Sequence, residues 1–284
     1  MGRLDEGGDA RMPADMTALH RSPDPPASGG VRRLLAACSV VVALILAAPS
    51  GLQAGGCPDR KDYEPNLPVP DGNIGVYKEQ LKAYHDKSTR GATTTDYMAD
   101  FQRVIDKALD YVTERAAAVE KPAVVLDIDE TSISNWTNIE VNDFGFIKGG
   151  NCALKEKKAC GFDAWIMQAK APVLAPTLKF YNEVRARKIA VFFITARPNS
   201  QRTATIRNLT RAGFKDWTAL ITRSDDDHGT SAKFKSGQRA EIEDRRGYKI
   251  IANIGDQESD LKDGDAPVHS ECRFKLPNPF YFIK

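Results

Sequence analysis

Two carboxylates, Asp127 and Asp129, stand two residues apart where the apolar run Val124-Val125-Leu126 ends. In an extended chain, side chains at i and i+2 leave the same face. Both acids can therefore aim at one spot while Ile128 turns back into the core. Carboxylates at the end of a buried strand are costly to desolvate unless a metal ion, hydrogen bonds or a cationic partner offsets their charge. The rival for such a string is a solvated Asp-rich turn, so its meaning depends on what the rest of the chain brings to it.

Two further apolar runs bring polar groups in the same way. Ala190-Val191-Phe192-Phe193-Ile194 ends in Thr195-Ala196-Arg197, and Ile250-Ile251-Ala252-Asn253-Ile254 ends in Gly255-Asp256-Gln257-Glu258-Ser259-Asp260, with Lys235 between them. Strand plus D-x-D-x-T, strand plus Thr, Lys, then strand plus G-D-x-x-x-D resembles the haloacid dehalogenase (HAD) superfamily in order and content. The longer strings Asp127-Ile128-Asp129-Glu130-Thr131-Ser132-Ile133-Ser134-Asn135, Lys235-Ser236-x-x-Arg239 and Gly255-Asp256-Gln257-x-Ser259-Asp260-Leu261 resemble its acid phosphatase subfamily IIIB. Plant vegetative storage proteins and bacterial secreted phosphatases fall in that group. The resemblance extends back to Asn73-Ile74-Gly75-Val76-Tyr77-Lys78, ahead of Leu81 and Tyr84-His85-Asp86.

The elements that must position these residues alternate. The spacing predicts helices opening at Asn73 and at Thr95-Asp96, then a first strand, a helix over 175–188, a strand over 190–194 and a helix over 200–212 closed by Gly213. A strand over 219–222, a helix over 232–244, a strand over 249–254 and a last strand over 273–276 follow. This is an α/β pattern: a Rossmann-like, parallel five-stranded sheet with helices on both faces. Ligands in such sheets sit beyond the carboxyl ends of the strands, where Asp127, Thr195 and Asp256 stand. The stretch 132–172 has no clear strand, and a connection that long is usually functional. By resemblance it is a small cap over the site, with Trp136 among its overhanging residues.

Ahead of the domain at 73–284 lie an extended, Pro-containing arm over 55–72 and a first segment, 1–54. That segment reads as a disordered stretch followed by a signal peptide: Arg32-Arg33, an apolar run from Leu34 to Ala48, and Leu52-Gln53-Ala54 as the cleavage site. The expectation is export to the periplasm or the extracellular space, with lipoprotein anchoring disfavoured and no stable membrane span after cleavage. Without Cys38 the chain keeps Cys57, Cys152, Cys160 and Cys272, whose three pairings the sequence leaves open. A Cys152–Cys160 bridge would close a polar loop, and Cys57–Cys272 would then tie the arm to the last strand; a zinc site lacks its usual C-x-x-C knuckles. Removing residues 1–54 takes away five Arg and five acids and leaves the formal charge at +2, so no nucleic-acid partner is expected. His85 reads as a solvent-capped helix end, and Asp225-Asp226-Asp227-His228 as a solvated loop.

The resemblance implies roles for the matching positions. Asp127 is the nucleophile and Asp129 the acid and base, acting on a small-molecule phosphate monoester. A phosphate dianion beside a carboxylate costs on the order of 4 kcal/mol per charge pair at about 4 Å and an effective dielectric near 20, so cations are required. Mg²⁺ would be held by Asp127, Asp256 and the Asp129 carbonyl, an oxygen-only set suited to a hard ion, with Asp260 and Arg239 in support. Lys235, the Thr195 hydroxyl and the Ala196 N–H would bind phosphoryl oxygens, Lys233 being the rival for the lysine. A non-catalytic storage or surface-binding protein, and phosphotransfer to another alcohol, remain as alternatives; homo-oligomerisation stays open.

Overall fold

The computed structural model describes residues 56–65, 67–68, 72–86, 96–156, 158–262 and 268–283. The signal-like segment lies outside them. In chain order the elements are α1 (Ile74–Asp86), α2 (Tyr97–Arg115), β1 (Pro122–Leu126), α3 (Trp136–Val141), α4 (Phe162–Gln168), α5 (Ala175–Ala186) and β2 (Ala190–Pro198). Then come α6 (Arg202–Ala212), β3 (Ala219–Arg223), α7 (Ser231–Ala240), β4 (Lys249–Gly255), α8 (Glu258–Leu261) and β5 (Cys272–Lys275). The five strands are all parallel, in the order β3-β2-β1-β4-β5.

β1 is central because its side chains are buried on both faces, as a strand covered by helices requires. Val124 and Leu126 join Val191, Phe193 and Ile254 in the larger core, against the inner stripe of α2 (Phe101, Val104, Ile105, Ala108). Ala123 and Val125 face the other way, with Phe192, Ile194 and Ile250, against Phe234 and Ile242. Asp96 starts α2 by accepting from the Ala99 N–H at 2.7 Å. Gly213 ends α6 at φ +103°, a left-handed position that suits glycine.

Among the boundaries that differ from the sequence reading, three bear on how the site is held. β2 runs on to Pro198 because, past a register shift, Pro198 pairs with Arg223. α6 begins at Arg202 after a 3₁₀ turn at Asn199–Gln201. α7 stops at Ala240 and runs into a π turn, Glu241–Arg245. Both cysteine pairs form disulfides, Cys57–Cys272 and Cys152–Cys160. Residues 132–172 hold α3 and α4, and α6 fastens the end of α4. Asn208 bonds Ala171 N and O at 3.0 and 2.7 Å, Arg207 reaches the Met167 carbonyl at 3.0 Å, and Arg211 the Ala169 carbonyl at 2.6 Å.

Candidate active site

The turn after β1 is over-determined. The Asp127 N–H donates to the Ile254 carbonyl at 3.0 Å, extending the β1–β4 ladder by one residue. The Ser132 hydroxyl closes back on the Asp127 carbonyl at 2.7 Å, and Ile133 N–H reaches Ile128 O at 3.0 Å. Glu130 takes φ +49° within this turn, a conformation that costs a non-glycine residue roughly 1 kcal/mol or more. Asn135 holds it there by donating from its N–H to Oε1 and from Nδ2 to Oε2. Asp127 and Asp129 both face the cavity that opens beyond the sheet.

α7 inserts Lys235, 5% exposed, whose Nζ lies 2.6 Å from Asp127 Oδ1 and 2.6 Å from Asp260 Oδ1. Lys233, two residues away, is exposed. Asp256 follows β4; its Oδ2 accepts from Asn278 Nδ2 at 2.6 Å and Gln257 Nε2 at 2.9 Å, and its Oδ1 from the Thr131 hydroxyl at 3.2 Å. Asp127, Asp256 and Asp260 each place an oxygen within 4.8 Å of the others. Three buried carboxylates thus cluster together, and one lysine bonds two of them, Asp127 and Asp260. Burial, with Asp260 close by, pushes the Asp256 carboxyl up to about 6. Burial also raises Asp127 against the opposing pull of Lys235, and the two acids keep Lys235 protonated despite its own burial. The surplus of negative charge and the all-oxygen donors fit a divalent hard cation.

The sequence-predicted residues Asp127, Asp129, Thr195, Ala196, Lys235, Asp256 and Asp260 all line one cavity of about 700 Å³. Arg239 lies beneath it instead, fully buried, donating to the Asp260 carbonyl at 2.6 Å and to the Lys262 carbonyl at 2.7 Å. Asp260 is one of the three clustered carboxylates, and its oxygens accept from Lys235 Nζ at 2.6 Å and the Gln257 N–H at 2.8 Å. The Asp129 carboxylate is gripped by Arg197, with Nη2 2.5 Å from Oδ1 and Nε 3.0 Å from Oδ2, and by Asn135 Nδ2 at 2.8 Å. Arg197 and Asn135 stood inside the quoted strings with no role attached. Asn278 and Tyr281, whose hydroxyl donates to Glu130 Oε2 at 3.0 Å, lie beyond the last strand, where no motif marked them.

Trp136 is a correction. It does not line the cavity; its ring stacks on His85 at 3.7 Å and 10° and packs on Phe280 and Phe144. His85, expected at a solvated helix end, is the other half of that stack, and burial lowers its pKa. Phe144, Phe146 and Phe162 are the aromatics that segment 132–172 does present to the cavity. Asp225, Asp227 and His228 stand at its rim, Asp225 accepting from Ser200 and Asp227 from Arg223.

A parallel sheet that carries an Asp-x-Asp pair, a threonine, a lysine and a second acid pair around one cavity at its carboxyl edge defines a hydrolase of the HAD type. The chain belongs to the HAD superfamily, subfamily IIIB (acid phosphatase), whose family model matches residues 71–284. That class is of phosphoric monoester hydrolases. The chain is 35% identical over 188 residues to acid phosphatase 1 of Solanum lycopersicum, covering 66% of this chain and 69% of that one. It is 32% identical over 221 residues to a stem 31 kDa glycoprotein of Glycine max, covering 77% and 82%. The class C acid phosphatase from Bacillus anthracis, solved with tungstate bound, superposes with a TM-score of 0.51 at 20% identity over 72% of this chain and 86% of that one, a likeness of fold.

Proposed function

We propose that this protein is an exported, Mg²⁺-dependent phosphomonoesterase working through an aspartyl-phosphate on Asp127. The observation that carries the reading is the cluster of Asp127, Asp256, Asp260 and Lys235, three carboxylates and one cation at the carboxyl edge of the sheet. Bound by Asp127, Asp256 and the Asp129 carbonyl, with Asp260 beside them, Mg²⁺ would neutralise the charge between the incoming dianion and its nucleophile. Lys235, the Thr195 hydroxyl and the Ala196 N–H donate to phosphoryl oxygens.

An Asp127 carboxylate oxygen bonds to phosphorus as the bond to the leaving oxygen breaks, and Asp129 gives that oxygen a proton. Asp129 then takes a proton from water, whose oxygen attacks phosphorus and frees Asp127. Segment 132–172 serves as the cap, supplying Phe144, Phe146 and Phe162 to the cavity wall. Two disulfides support export to an oxidising compartment. Among the described residues no helix is long and apolar enough to cross a membrane.

The test is phosphate release from nucleotides, sugar phosphates and aryl phosphates by the purified protein, before and after chelation. Release should stop in excess chelator and return with Mg²⁺. Full turnover in excess chelator refutes the metal site.

A further inference from the structure

Large apolar side chains that stay in water gather at the mouth of the cavity. Among the described residues nine such side chains are exposed, and four of them form two dipeptides, Phe146-Ile147 and Phe282-Ile283. Three of these four, Phe146, Phe282 and Ile283, line the cavity. One exposed apolar side chain is ordinary on a protein surface, whereas a group of them around an opening marks a surface that something apolar covers. Phe146 and Phe282 are each 74% exposed, so a ligand can reach both.

Both dipeptides are held in place through the backbone. The Ile147 carbonyl accepts from the Phe162 N–H at 2.7 Å, and the Phe146 ring lies 5.6 Å from that of Phe162. The Ile283 N–H donates to Gln257 Oε1 at 3.2 Å, and Gln257 Nε2 donates to Asp256. One dipeptide is thus fastened to the start of α4 and the other beside the carboxylate cluster. Phe162 and Ile166, four residues apart on α4, continue the apolar wall within the cavity. The amides of Asn135 and Asn138, which also line it, are committed inside the protein. Asn135 donates to Asp129 and Glu130 and accepts from Trp165, while Asn138 donates to the Cys160 carbonyl and accepts from Asn142. What lies beyond the phosphate therefore meets hydrocarbon on this side.

We propose that this mouth is a leaving-group subsite for an aliphatic chain, so that the substrates are phosphate monoesters of long-chain alcohols. The inference rests on the phosphomonoesterase reading, which sets the phosphate at Asp127 and points the rest of the ester outward. Phe146 and Phe282 take the chain at the opening, and Phe162 and Ile166 take the part nearer the phosphate.

The experiment uses straight-chain alkyl phosphates from ethyl to dodecyl, kept below their micelle-forming concentrations. Along this series the acidity of the leaving alcohol hardly changes and only the chain grows. Alkylphosphonates of the same lengths, whose carbon–phosphorus bond the enzyme cannot hydrolyse, are titrated by calorimetry into the same Mg²⁺-supplemented protein. Both kcat/KM and affinity should rise by about threefold per methylene, a little under the roughly fourfold that a fully buried methylene at about 0.8 kcal/mol gives, and should level off once the chain outruns the wall. The heat capacity of binding should grow more negative over the same range. Phe146→Ser combined with Phe282→Ser should cut the octyl-to-ethyl ratio by about tenfold or more. Val268→Ser, which removes an exposed apolar side chain away from the cavity, should keep the wild-type ratio. If the esters are hydrolysed with a ratio near one, the subsite is overturned and the phosphatase reading stands. A ratio that survives in the double variant, or falls equally in Val268→Ser, overturns the subsite as well. If no ester is hydrolysed and the phosphonates still bind more tightly as the chain lengthens, the phosphatase reading falls and the subsite stands.

Discussion

Arg197 forks onto Asp129, with Nη2 2.5 Å from Oδ1 and Nε 3.0 Å from Oδ2. Burial alone would raise the Asp129 carboxyl, but the Arg197 charge and the Asn135 amide hold it below the usual carboxylate range. Asp129 thus rests ionised, ready as a base. To serve first as the acid in the proposed mechanism it must take up a proton from solvent, which the negative charge of a phosphate brought beside it favours.

Removing the Arg197 charge should show in the pH profile. Arg197→Met is expected to slow turnover and to move the acid limb of kcat against pH upward by about one unit. Lysine should restore little, since it cannot fork onto both oxygens. An acid limb that stays in place would free Asp129 from Arg197.

Glu130 predicts how the metal-free fold responds to pH. Burial, then the charges of Asp129 and Asp256, push its carboxyl up to about 8 from an ordinary value of 4.5, and Asp256 stands at about 6. The folded chain therefore keeps protons that the unfolded chain releases near pH 4.5. This stabilisation is complete below that pH and is lost as pH rises to about 8. The melting temperature of chelated protein should fall across this window, and Glu130→Gln should flatten the fall. A melting temperature that climbs from pH 5 to 8 would contradict these assignments.

The parallel sheet and the cavity's acids were legible because each depends on a few consecutive residues: an apolar run for a strand, then polar groups at i and i+2 where it ends. What could not be read depends on contacts far apart in sequence. Trp136 follows the turn after β1 by only a few residues, yet its direction is decided by His85, in the last turn of α1, and by Phe280. Asn278 and Tyr281 have no periodicity to betray them and matter only because residues 276–283 fold back over Asp256. The run-on of β2 to Pro198 likewise depends on a partner, Arg223.

Trp136→Ala should act on stability and leave selectivity alone. The ring is half-buried between His85, Phe280 and Phe144, so its removal is expected to cost about 2–4 kcal/mol. Relative kcat/KM values among substrates of different size should hold constant. A change in their ranking would return Trp136 to the cavity wall.

Asn278 tests the hold on Asp256. Its Nδ2 lies 2.6 Å from Asp256 Oδ2, fixing the carboxylate that faces Asp127 and Asp260. Partners of metal-binding carboxylates are typically worth about 10- to 100-fold in metal affinity. Asn278→Ala should raise the Mg²⁺ concentration for half-maximal binding by about tenfold, read by calorimetry, with much of kcat recovered at saturating metal. Unchanged Mg²⁺ affinity would leave Asn278 a purely structural residue.

The two acids of the first turn should fail differently, because Lys235 attends one and Arg197 the other. Asp127→Asn keeps size and most hydrogen bonding while removing the nucleophile, so turnover should fall by several orders of magnitude. The fold should persist, and the metal-free protein should gain stability, since one of three crowded carboxylates is gone. Asp129→Asn leaves Asp127 able to attack but impairs both proton transfers, a loss of roughly 10² to 10⁴. An aryl phosphate with an acidic leaving group needs no proton for the first step. With Asp129→Asn, that substrate should therefore react once and leave phosphate on Asp127, because the second step still lacks its base. Rapid quench and mass spectrometry would place the added phosphoryl group on the peptide containing Asp127. If wild type releases phosphate, no adduct is ever trapped, and Asp127→Asn turns over at a near-normal rate, then Asp127 is not the nucleophile and the attack must come from water directly.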